Sequence, residues 1–429
     1  VITYSAVISA CERCSQLNRG LELLWESRRR GIEHSLSSFA WGLARLSVTD
    51  LKIIRATLAA ACLRLEVSRH SPEELSRLAW ACGMLGVENL ELSSRIAEQA
   101  SVQIRDFTLQ ELLLLAWGTA AFVPDLRLVG AIQDEMISRL PQWEWHGPPK
   151  VAWSKFTEVA LGVVWAYNFA GLLGKDFLAT TREALLRMGR AFDAAAPRTN
   201  GLTSTPKGLI GRAQPKVSSL LTSKRPCSEP RVALDLSDRW VLVKPADWEV
   251  CDGHVEQQLL SFSRAFSGDL WPILDDSEHQ HGFLHRLDVP SSGLILAAKT
   301  YESYYDLQAQ LNAGEIARDY IVLCHGWVPP YLCEMNASVY WRGDSLTSAG
   351  GQGKPSRTNL KVIVHVLHKA DAVSLVTIRI ATGRRHQIRS HFSHFGHPTV
   401  CDGKYTAVAT MKSDCKLCVR NFLHRYRLC

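Results

Sequence analysis

The sequence predicts a multidomain protein in which an all-α helical repeat array precedes an α+β domain with a mainly antiparallel sheet. Three observations lead to this prediction. Leucine, alanine and tryptophan recur at three- and four-residue steps through residues 1–192, which is the period of a helix. Related segments repeat along that region at a nearly constant spacing. From Trp240 onward, runs rich in β-branched residues alternate with turns, as strands do.

The helical region contains an internal repeat centred on tryptophan. An apolar residue, Ala and Trp recur together, and the tryptophans are Trp41, Trp80, Trp117 and, in a weaker copy, Trp165. Their spacings are 39, 37 and 48 residues, the last enlarged by a proline-rich insertion at 141–149. Two units begin with a predicted capping box, Ser71 with Glu74 and Thr108 with Glu111. A fixed period with helix starts at a fixed phase indicates stacked helix pairs.

The first unit, residues 1–35, resembles a single pentatricopeptide repeat. The resemblance rests on Val1–Ala10, Gly20–Leu24 and Gly31–Glu33, and the later units more loosely resemble the helical repeats of organellar RNA-binding proteins. It implies binding of single-stranded RNA with one base read per repeat. The base-reading positions fall at Ser5 and Ser35, an unusual combination that assigns no base. A generic helical interaction scaffold stays an alternative, because no basic stripe is visible.

Composition fits this organisation without requiring one function. The chain has 429 residues, 46% of them hydrophobic, and a net charge of +7, which permits a nucleic-acid partner without demanding one. No segment approaches the roughly eighteen apolar residues of a membrane-spanning helix, so no membrane partner is expected. The 12 cysteines are irregularly spaced and indicate reduced thiols in an intracellular protein.

The sequence contains incomplete metal-binding patterns, and its two ends also look incomplete. Cys11 with Cys14 and Cys415 with Cys418 have metal-like spacing, but neither pair has a second pair at a zinc-site distance, so no metal site is predicted. The sequence begins with Val1 and stops at Cys429 inside an apparent strand. We therefore suspect a fragment whose last domain is truncated, and a missing targeting peptide would carry no information on location.

A change in composition separates the two parts. Residues 193–230 are dominated by Thr, Ser, Pro, Gly and Lys without hydrophobic periodicity, which predicts a flexible linker. Residues 231–429 form the predicted α+β domain. Its clearest strand candidates are Trp240–Val243, Tyr320–Leu323, Lys361–Val364 and Val373–Ile378.

Two motifs in the second part carry chemistry. His285–Asp288 holds cations beside a carboxylate in a turn-rich segment that ends at Gly293 before an apolar strand. Alone, it would be an ordinary surface ion pair beside a turn. Thr382–His391, however, contains three arginines and two histidines and runs on to Gly396–Pro398. So many donors are not expected together on a helix face by chance.

With Arg318-Asp319-Tyr320 at a strand start and Lys244-Pro245 upstream, these motifs resemble the RluA-type RNA pseudouridine synthases in order and spacing. The resemblance covers about Leu236 to the C terminus. It implies conversion of specific uridines in rRNA, tRNA or an organellar transcript to pseudouridine, without cofactor or metal. One departure is Cys401, which stands where glycine is common before Asp402 and would crowd a turn.

The resemblance also implies roles for single residues. Asp288 matches the nucleophile, and the sequence leaves open whether it attacks the sugar or the base. Arg389 matches the arginine that keeps this carboxylate ionised and oriented. Tyr320 matches the tyrosine that packs on the flipped uracil and helps to move a proton. The matching substrate-binding residues are Arg286, which fills the gap left by the flipped base, and His285, Arg384, His386 and Lys244.

Two other functions stay open. A non-catalytic RNA-binding protein would keep the fold without the activity, although Asp288, Tyr320 and Arg389 are all present. Alternatively, the repeats are an interaction scaffold that carries the second domain as a passenger. The pentatricopeptide-like unit favours a mitochondrion or plastid by resemblance, with the cytoplasm as the alternative. The sequence does not indicate the oligomeric state.

Overall fold

The fold is described from a computed structural model. The structure describes residues 36–45, 48, 50–86, 89–121, 125–142, 149–196, 229–341, 343, 345–351, 353–368 and 371–429, together with Glu22. Contacts divide the chain into two compact units, Val1–Ala184 and Leu185–Cys429. The boundary falls inside a helix, upstream of the predicted linker.

The described residues of the first unit are mostly helical. The helices are α1 (Leu36–Arg45), α2 (Leu51–Val67), α3 (Pro72–Leu85), α4 (Leu90–Val102), α5 (Leu109–Ala121), α6 (Leu126–Arg139), α7 (Pro149–Ala170) and α8 (Lys175–Ala195), whose last turns belong to the second unit. Helices α1, α3, α5 and α7 pack successively against one another, and α2, α4 and α6 do the same. The predicted helical character of this region is confirmed. Two such layers are what stacked helix pairs would produce.

Both predicted capping boxes are present. The Glu74 N–H donates to Ser71 Oγ at 3.3 Å, and the Ser71 N–H donates to the Glu74 carboxylate at 3.1 Å. Thr108 and Glu111 make the same exchange at 3.3 and 2.7 Å. These bonds satisfy N–H groups in the first turns of α3 and α5, which explains why both helices begin where the sequence predicted.

The repeated tryptophans contact one another in pairs along one helix layer, with the first pair tilted and the second stacked. The ring centroids of Trp41 and Trp80 are 4.2 Å apart, and those of Trp117 and Trp165 are 4.6 Å apart. The sequence spacing therefore corresponds to ring contacts between α1 and α3 and between α5 and α7.

Several predictions concern residues outside the described part of the chain. These are the pentatricopeptide-like segment with Ser5 and Ser35, the pair Cys11 and Cys14, and residues 197–228 of the predicted linker. Among the helices that the structure does describe, none combines the length and the hydropathy needed to cross a membrane.

The second unit is built on a large sheet, whose strands among the described residues run in the order β1-β2-β3-β10-β4-β9-β8-β5. They are β1 (Arg231–Asp235), β2 (Arg239–Lys244), β3 (Ser292–Ala298), β4 (Arg318–His325), β5 (Glu334–Asn336), β8 (Arg357–His368), β9 (Asp371–Ile380) and β10 (Leu423–Leu428). Only the β10–β3 pair is parallel among these described strands. The predicted mainly antiparallel sheet is therefore confirmed.

Short elements complete this unit. The strands β6 (Val339–Tyr340) and β7 (Ser348–Ala349) pair with each other. The helices are α9 (Leu259–Ser267), α10 (Tyr301–Asn312), α11 (Gln387–His394) and α12 (Val408–Asp414). Ile388 and Phe392 of α11 enter the same buried core as Val322 of β4 and Val376 of β9. Their burial fixes α11 in the core, and Arg389 lies next to Ile388 on this anchored helix.

Strand β10 lies inside the sheet, between β3 and β4. It ends at Leu428, so the apparent strand near Cys429 corresponds to β10. It pairs with β3 at Gly293, where φ is +127° and an added Cβ would lie 2.2 Å from the carbonyl oxygen of Arg425. Only glycine fits at this position, so Gly293 lets the Asp288 segment join the sheet directly beside β10.

The end of α8 is fixed within the second unit by a helix cap. The Asp193 carboxylate accepts hydrogen bonds from the backbone N–H groups of Tyr301 and Glu302, both at 2.9 Å, at the start of α10. Phe192 stacks on Tyr301 with a centroid distance of 5.3 Å. Helix α8 thus extends to Ala195, three residues past the predicted end of the helical region at 192. The sequence did not indicate this, because the partners of Asp193 lie 108 and 109 residues further along the chain.

Candidate active site

The backbone around Asp288 is fixed on both sides. The Asp288 carbonyl accepts from the Ser291 N–H at 3.0 Å, which closes a turn before β3. The Val289 carbonyl accepts from the Asp247 N–H at 2.8 Å and from Lys244 Nζ at 3.2 Å. The Asp288 side chain is nevertheless 24% exposed. A held backbone with an accessible carboxylate suits a group that reacts with a bound ligand.

Arg389 joins Asp288 to a second, buried carboxylate. Its Nη1 donates to Asp288 Oδ2 at 2.8 Å, while Nε and Nη2 donate to Asp402 at 2.7 and 2.6 Å. Burial opposes the guanidinium charge, but the bonds and attraction of both carboxylates outweigh it and raise the pKa of Arg389. The contact expected between Arg389 and Asp288 is therefore present.

Asp402 orients Arg389 and is itself held by neighbouring donors. Thr399 Oγ1 donates to it at 2.9 Å and the Lys404 N–H at 3.1 Å. Burial would raise the pKa of Asp402, yet the bond and charge of Arg389 hold it below its ordinary value. Cys401 precedes it at φ +59°, the left-handed backbone that glycine adopts most readily. Cys401 thus has a backbone conformation that favours the glycine expected at this position.

His386 and Tyr405 line the other side of Asp288 and Arg389. His386 Nε2 lies 4.0 Å from Asp288 Oδ1, and His386 Nδ1 lies 3.2 Å from Tyr405 Oη. Burial lowers the pKa of His386 to about 4 in spite of the Asp288 charge, so the imidazole is neutral at neutral pH. The Arg389 guanidinium carbon lies 5.2 Å from the Tyr405 ring centroid. The site therefore combines a carboxylate with a neutral imidazole and a phenol.

Tyr320 is buried on β4 and bonded to a cation. Its hydroxyl accepts hydrogen bonds from Arg425, from Nε at 2.9 Å and from Nη2. Arg425 Nη1 contacts His285 Nε2 at 2.9 Å. Loss of solvent and the charges of Arg425 and Arg318 hold the pKa of His285 well below its usual range. A neutral His285 can then accept from Arg425.

Two of the predicted RNA-contacting arginines differ in exposure. Arg286 is 63% exposed and donates from Nη1 to Asp252 at 2.5 Å. Arg384 is half-buried, and its Nε and Nη2 lie 3.4 Å from the Pro355 carbonyl. Burial and the charge of Arg318 lower the pKa of Arg384 to about 10, which leaves it charged at neutral pH. Both arginines thus present positive charge to this region.

Lys244 lies in the interior beneath the Asp288 segment. Its ammonium donates to the carbonyls of Pro245, Trp248 and Val289 at 2.9, 2.6 and 3.2 Å. Burial lowers its pKa to about 7, and the attraction of Asp288 opposes that shift. Three carbonyl acceptors use the three ammonium hydrogens, which favours a positioning role over the substrate contact that the sequence suggested.

Asp402, Tyr405 and Arg425 were not predicted from the sequence to have a role in the site. Asp402 and Tyr405 follow the Gly396–Pro398 segment, so their nearness to the arginine motif was a usable signal. Arg425 gave none, since its partners Tyr320 and His285 lie 105 and 140 residues away.

Across the described ranges, which include Cys415 and Cys418, no group of three or more His, Cys, Asp or Glu side chains could hold a metal ion.

The region that builds this site matches a known family. Residues 240–394 match the family model described as RNA pseudouridylate synthase. That segment contains Asp288, Tyr320 and Arg389, while Asp402, Tyr405 and Arg425 lie beyond its end.

Curated relatives point to the same class. Ribosomal large subunit pseudouridine synthase C of Escherichia coli (strain K12) is 32% identical over 126 residues, which is 28% of this chain and 38% of that protein. Ribosomal large subunit pseudouridine synthase D of Nitrosomonas europaea is 32% identical over 151 residues, which is 34% of this chain and 43% of that protein. The chain therefore spans less than half the length of these relatives.

A solved structure is also similar. It is human RNA pseudouridylate synthase domain containing 1, at 24% identity and a TM-score of 0.38, covering 47% of this chain and 78% of that one.

Proposed function

We propose that this protein is an RNA pseudouridine synthase, an isomerase that converts specific uridines in RNA to pseudouridine with Asp288 as the nucleophile. One observation carries the proposal. An accessible carboxylate, Asp288, is bonded to a buried arginine, Arg389, and both lie in the segment that matches the RNA pseudouridylate synthase family, while a second carboxylate beyond that segment, Asp402, orients the arginine. Such a network holds a reactive carboxylate in one orientation beside a fixed positive charge.

The reaction needs only groups of the kind that this site contains. In pseudouridine formation the N1–C1′ bond breaks, a C5–C1′ bond forms, C5 loses a proton and N1 gains one. No electrons are gained or lost, so the isomerisation requires no redox cofactor. Asp288 supplies the covalent nucleophile, attacking the sugar or the ring, and the hydrogen bond from Arg389 orients it. Tyr320 packs on the uracil and helps to move a proton.

The target base must leave its stack to reach a buried site. Arg286 is the side chain proposed to fill the gap, because its exposed planar guanidinium can stack and donate hydrogen bonds. Arg384 and His386 lie in the proposed path of the RNA backbone, and His285 supports the tyrosine side of the site. Lys244 is proposed to position the Asp288 loop from below.

We propose rRNA as the first substrate class to examine, since the similar bacterial proteins are named for the large ribosomal subunit. tRNA and organellar transcripts are the other candidates. The helical unit is proposed to recognise or deliver the RNA, in a mitochondrion or plastid or else in the cytoplasm. The alternatives are a non-catalytic RNA-binding protein and a helical interaction scaffold.

Pseudouridine mapping of total RNA, with and without the protein, tests the proposal. Uridines that are modified only when the wild-type chain is present support an enzyme. The same map made with Asp288→Asn, which keeps the shape of the side chain, separates catalysis from binding. If the RNA binds but no uridine depends on the protein, the non-catalytic alternative is correct. If the helical unit binds no RNA, the scaffold alternative gains support.

A further inference from the structure

Arg425 is a cation inside the sheet of the second unit. It stands on β10 directly opposite Tyr320 of β4, and its side chain is 2% exposed. Residues directly opposite in an antiparallel pair project from the same face, so the strand register alone brings the guanidinium to the phenol. The close pairing of β10 with β3 at Gly293 fixes this register from the other side.

The hydrogen bonds of Arg425 converge on the tyrosine. Nε at 2.9 Å and Nη2 both donate to the Tyr320 hydroxyl, and the guanidinium carbon lies 4.9 Å from the ring centroid. Nη1 reaches His285 Nε2 at 2.9 Å and the Leu294 carbonyl at 3.1 Å. Because the phenol oxygen accepts hydrogen bonds from two N–H groups, its O–H bond cannot rotate freely. The hydroxyl hydrogen of Tyr320 must then point away from the arginine.

Arg425 differs in its partners from Arg389 and Arg379, which are both bonded to carboxylates. Arg389 is bonded to two carboxylates, and Arg379 donates twice to Asp319. Within the described residues, no salt bridge joins Arg425 to a carboxylate, and its partners are a phenol, an imidazole and a carbonyl. A buried cation that only stabilised the fold would be expected to have an opposite charge beside it.

We propose that Arg425 is the positioning residue for Tyr320: it fixes the phenol ring and hydroxyl in the orientation that the reaction uses. The role rests on the proposed function, because it presupposes that Tyr320 contacts the uracil. Loss of Arg425 then harms the chemical step more than RNA binding, since Arg425 is itself buried and does not face the ligand. His285 completes the arrangement by accepting from the same guanidinium.

The test uses the full chain with Arg425→Met, which keeps the length of the side chain, and Arg425→Lys, which keeps the charge. Turnover is measured on an RNA in which wild-type protein forms pseudouridine. We expect Arg425→Met to lower kcat on the order of a hundredfold and to leave KM roughly unchanged, because a misplaced group mainly affects the transition state. Arg425→Lys should restore part of the loss.

A second readout does not depend on activity. The chain is labelled with [13Cζ]tyrosine, and the Tyr320 signal among the 10 tyrosines is identified by its absence in Tyr320→Phe. Replacing Arg425 by Met should move that signal, and Lys should move it less. In a double-mutant cycle, Arg425→Met should add little further loss of kcat once Tyr320 is Phe, since the interaction is then already absent.

The outcomes separate the two claims. If wild-type protein is active and the arginine variants that fold keep its kcat, or the Tyr320 signal stays in place, the positioning role is overturned and the proposed function stands. If folded wild-type protein forms no pseudouridine in any RNA, the proposed function fails and the catalytic role of Arg425 fails with it. Should Arg425→Met not fold, Arg425→Lys decides both readouts.

Discussion

At the scale of single residues, the orientation of Asp288 depends on the carboxylate of Asp402, which is buried behind Arg389 and not accessible to a ligand. Asp402 takes two of the three hydrogen bonds by which Arg389 is held, and its side chain is fully buried. Without the charge of Asp402, Asp288 is the one carboxylate in the described part of the chain bonded to the buried Arg389 cation. The guanidinium should then turn, and Asp288 should lose its fixed position.

We predict that Asp402→Asn destabilises the second unit by about 3 kcal/mol, the usual effect of breaking a buried charge pair from one side. It should also lower kcat. Urea denaturation and turnover measure the two effects. Asp371→Asn, an exposed carboxylate on β9, is the matched control and should change neither. An Asp402→Asn protein as stable and active as the control would contradict the role of the network.

His386 gives a pH dependence with a definite sign. Burial lowers its pKa from 6.5 to about 4, so the unfolded chain binds a proton in this window while the folded chain does not. Stability is therefore lost as the pH falls from 6.5 towards 4. Wild-type protein should therefore lose unfolding free energy between about pH 7 and about pH 5. We predict that His386→Asn loses about 1–2 kcal/mol less than wild type over the same interval.

Asparagine is the suitable replacement because it tolerates the left-handed backbone at position 386, where φ is +49°. The free energy of unfolding is measured at both pH values for wild type and variant. If both lose the same amount, His386 does not titrate as its surroundings indicate.

Site residues could be predicted from the sequence where they stand in short motifs, but not where they depend on contacts with distant parts of the chain. Asp288, Tyr320 and Arg389 stand in motifs whose residues are close in sequence, and the structure brings Asp288 and Arg389 into contact. Arg425 was out of reach, because its role depends on a strand pairing across 105 residues. Lys244 was assigned to the substrate through the resemblance of the Lys244-Pro245 pair, and sequence does not reveal which way a side chain is directed. Its burial under three carbonyls became apparent only in the fold.

At the scale of elements, the close approach of β10 and β3 determines where the Asp288 segment lies. Gly293 is where this approach is tightest, and its backbone conformation is also one that other residues avoid. We predict that Gly293→Ala destabilises the second unit on the order of 3 kcal/mol, through both the clash and the strained φ.

Gly403→Ala is the control, because an added Cβ there meets nothing within 4 Å. Chemical denaturation of both variants gives the comparison. Equal stability of the two would contradict the close packing at Gly293. The strands themselves were largely predictable from β-branched runs. The insertion of β10 between β3 and β4 was not, because hydrophobic pattern does not specify which distant strands pair.

At the scale of the whole molecule, the second unit begins earlier than composition suggested. The change in composition placed the domain start at 231, whereas Asp193 already caps α10. We predict that in a fragment of residues 185–429, Asp193→Ala lowers stability by about 1 kcal/mol, the usual effect of losing a helix cap. Asp371→Ala in the same fragment, at an exposed position on β9, should not change stability. An unchanged Tm for the Asp193 variant would contradict the cap.

The proposed division of labour between the units is a prediction about kinetics. A tethered binding module raises the effective concentration of its RNA without altering the chemical step. The fragment of residues 185–429, once its folding is established, should therefore show a raised KM for the native RNA and a nearly unchanged kcat on a saturating minimal substrate. If it modifies the native target as efficiently as the full chain, the helical unit serves another purpose. RNA binding by the helical unit should weaken with salt, as phosphate contacts do.

The nucleophilic role of Asp288 is tested most directly by the fate of the hydrogen on C5 of uridine. RNA labelled with tritium at C5 of uridine releases it to water only when C5 gives up its hydrogen to form the new carbon–carbon bond. Wild-type protein should release tritium in proportion to the pseudouridine formed. Asp288→Asn should bind the same RNA with nearly the same affinity and release none above background, because the amide is not a nucleophile. Tritium release by the Asn variant within a few-fold of the wild-type rate would contradict the central role of Asp288.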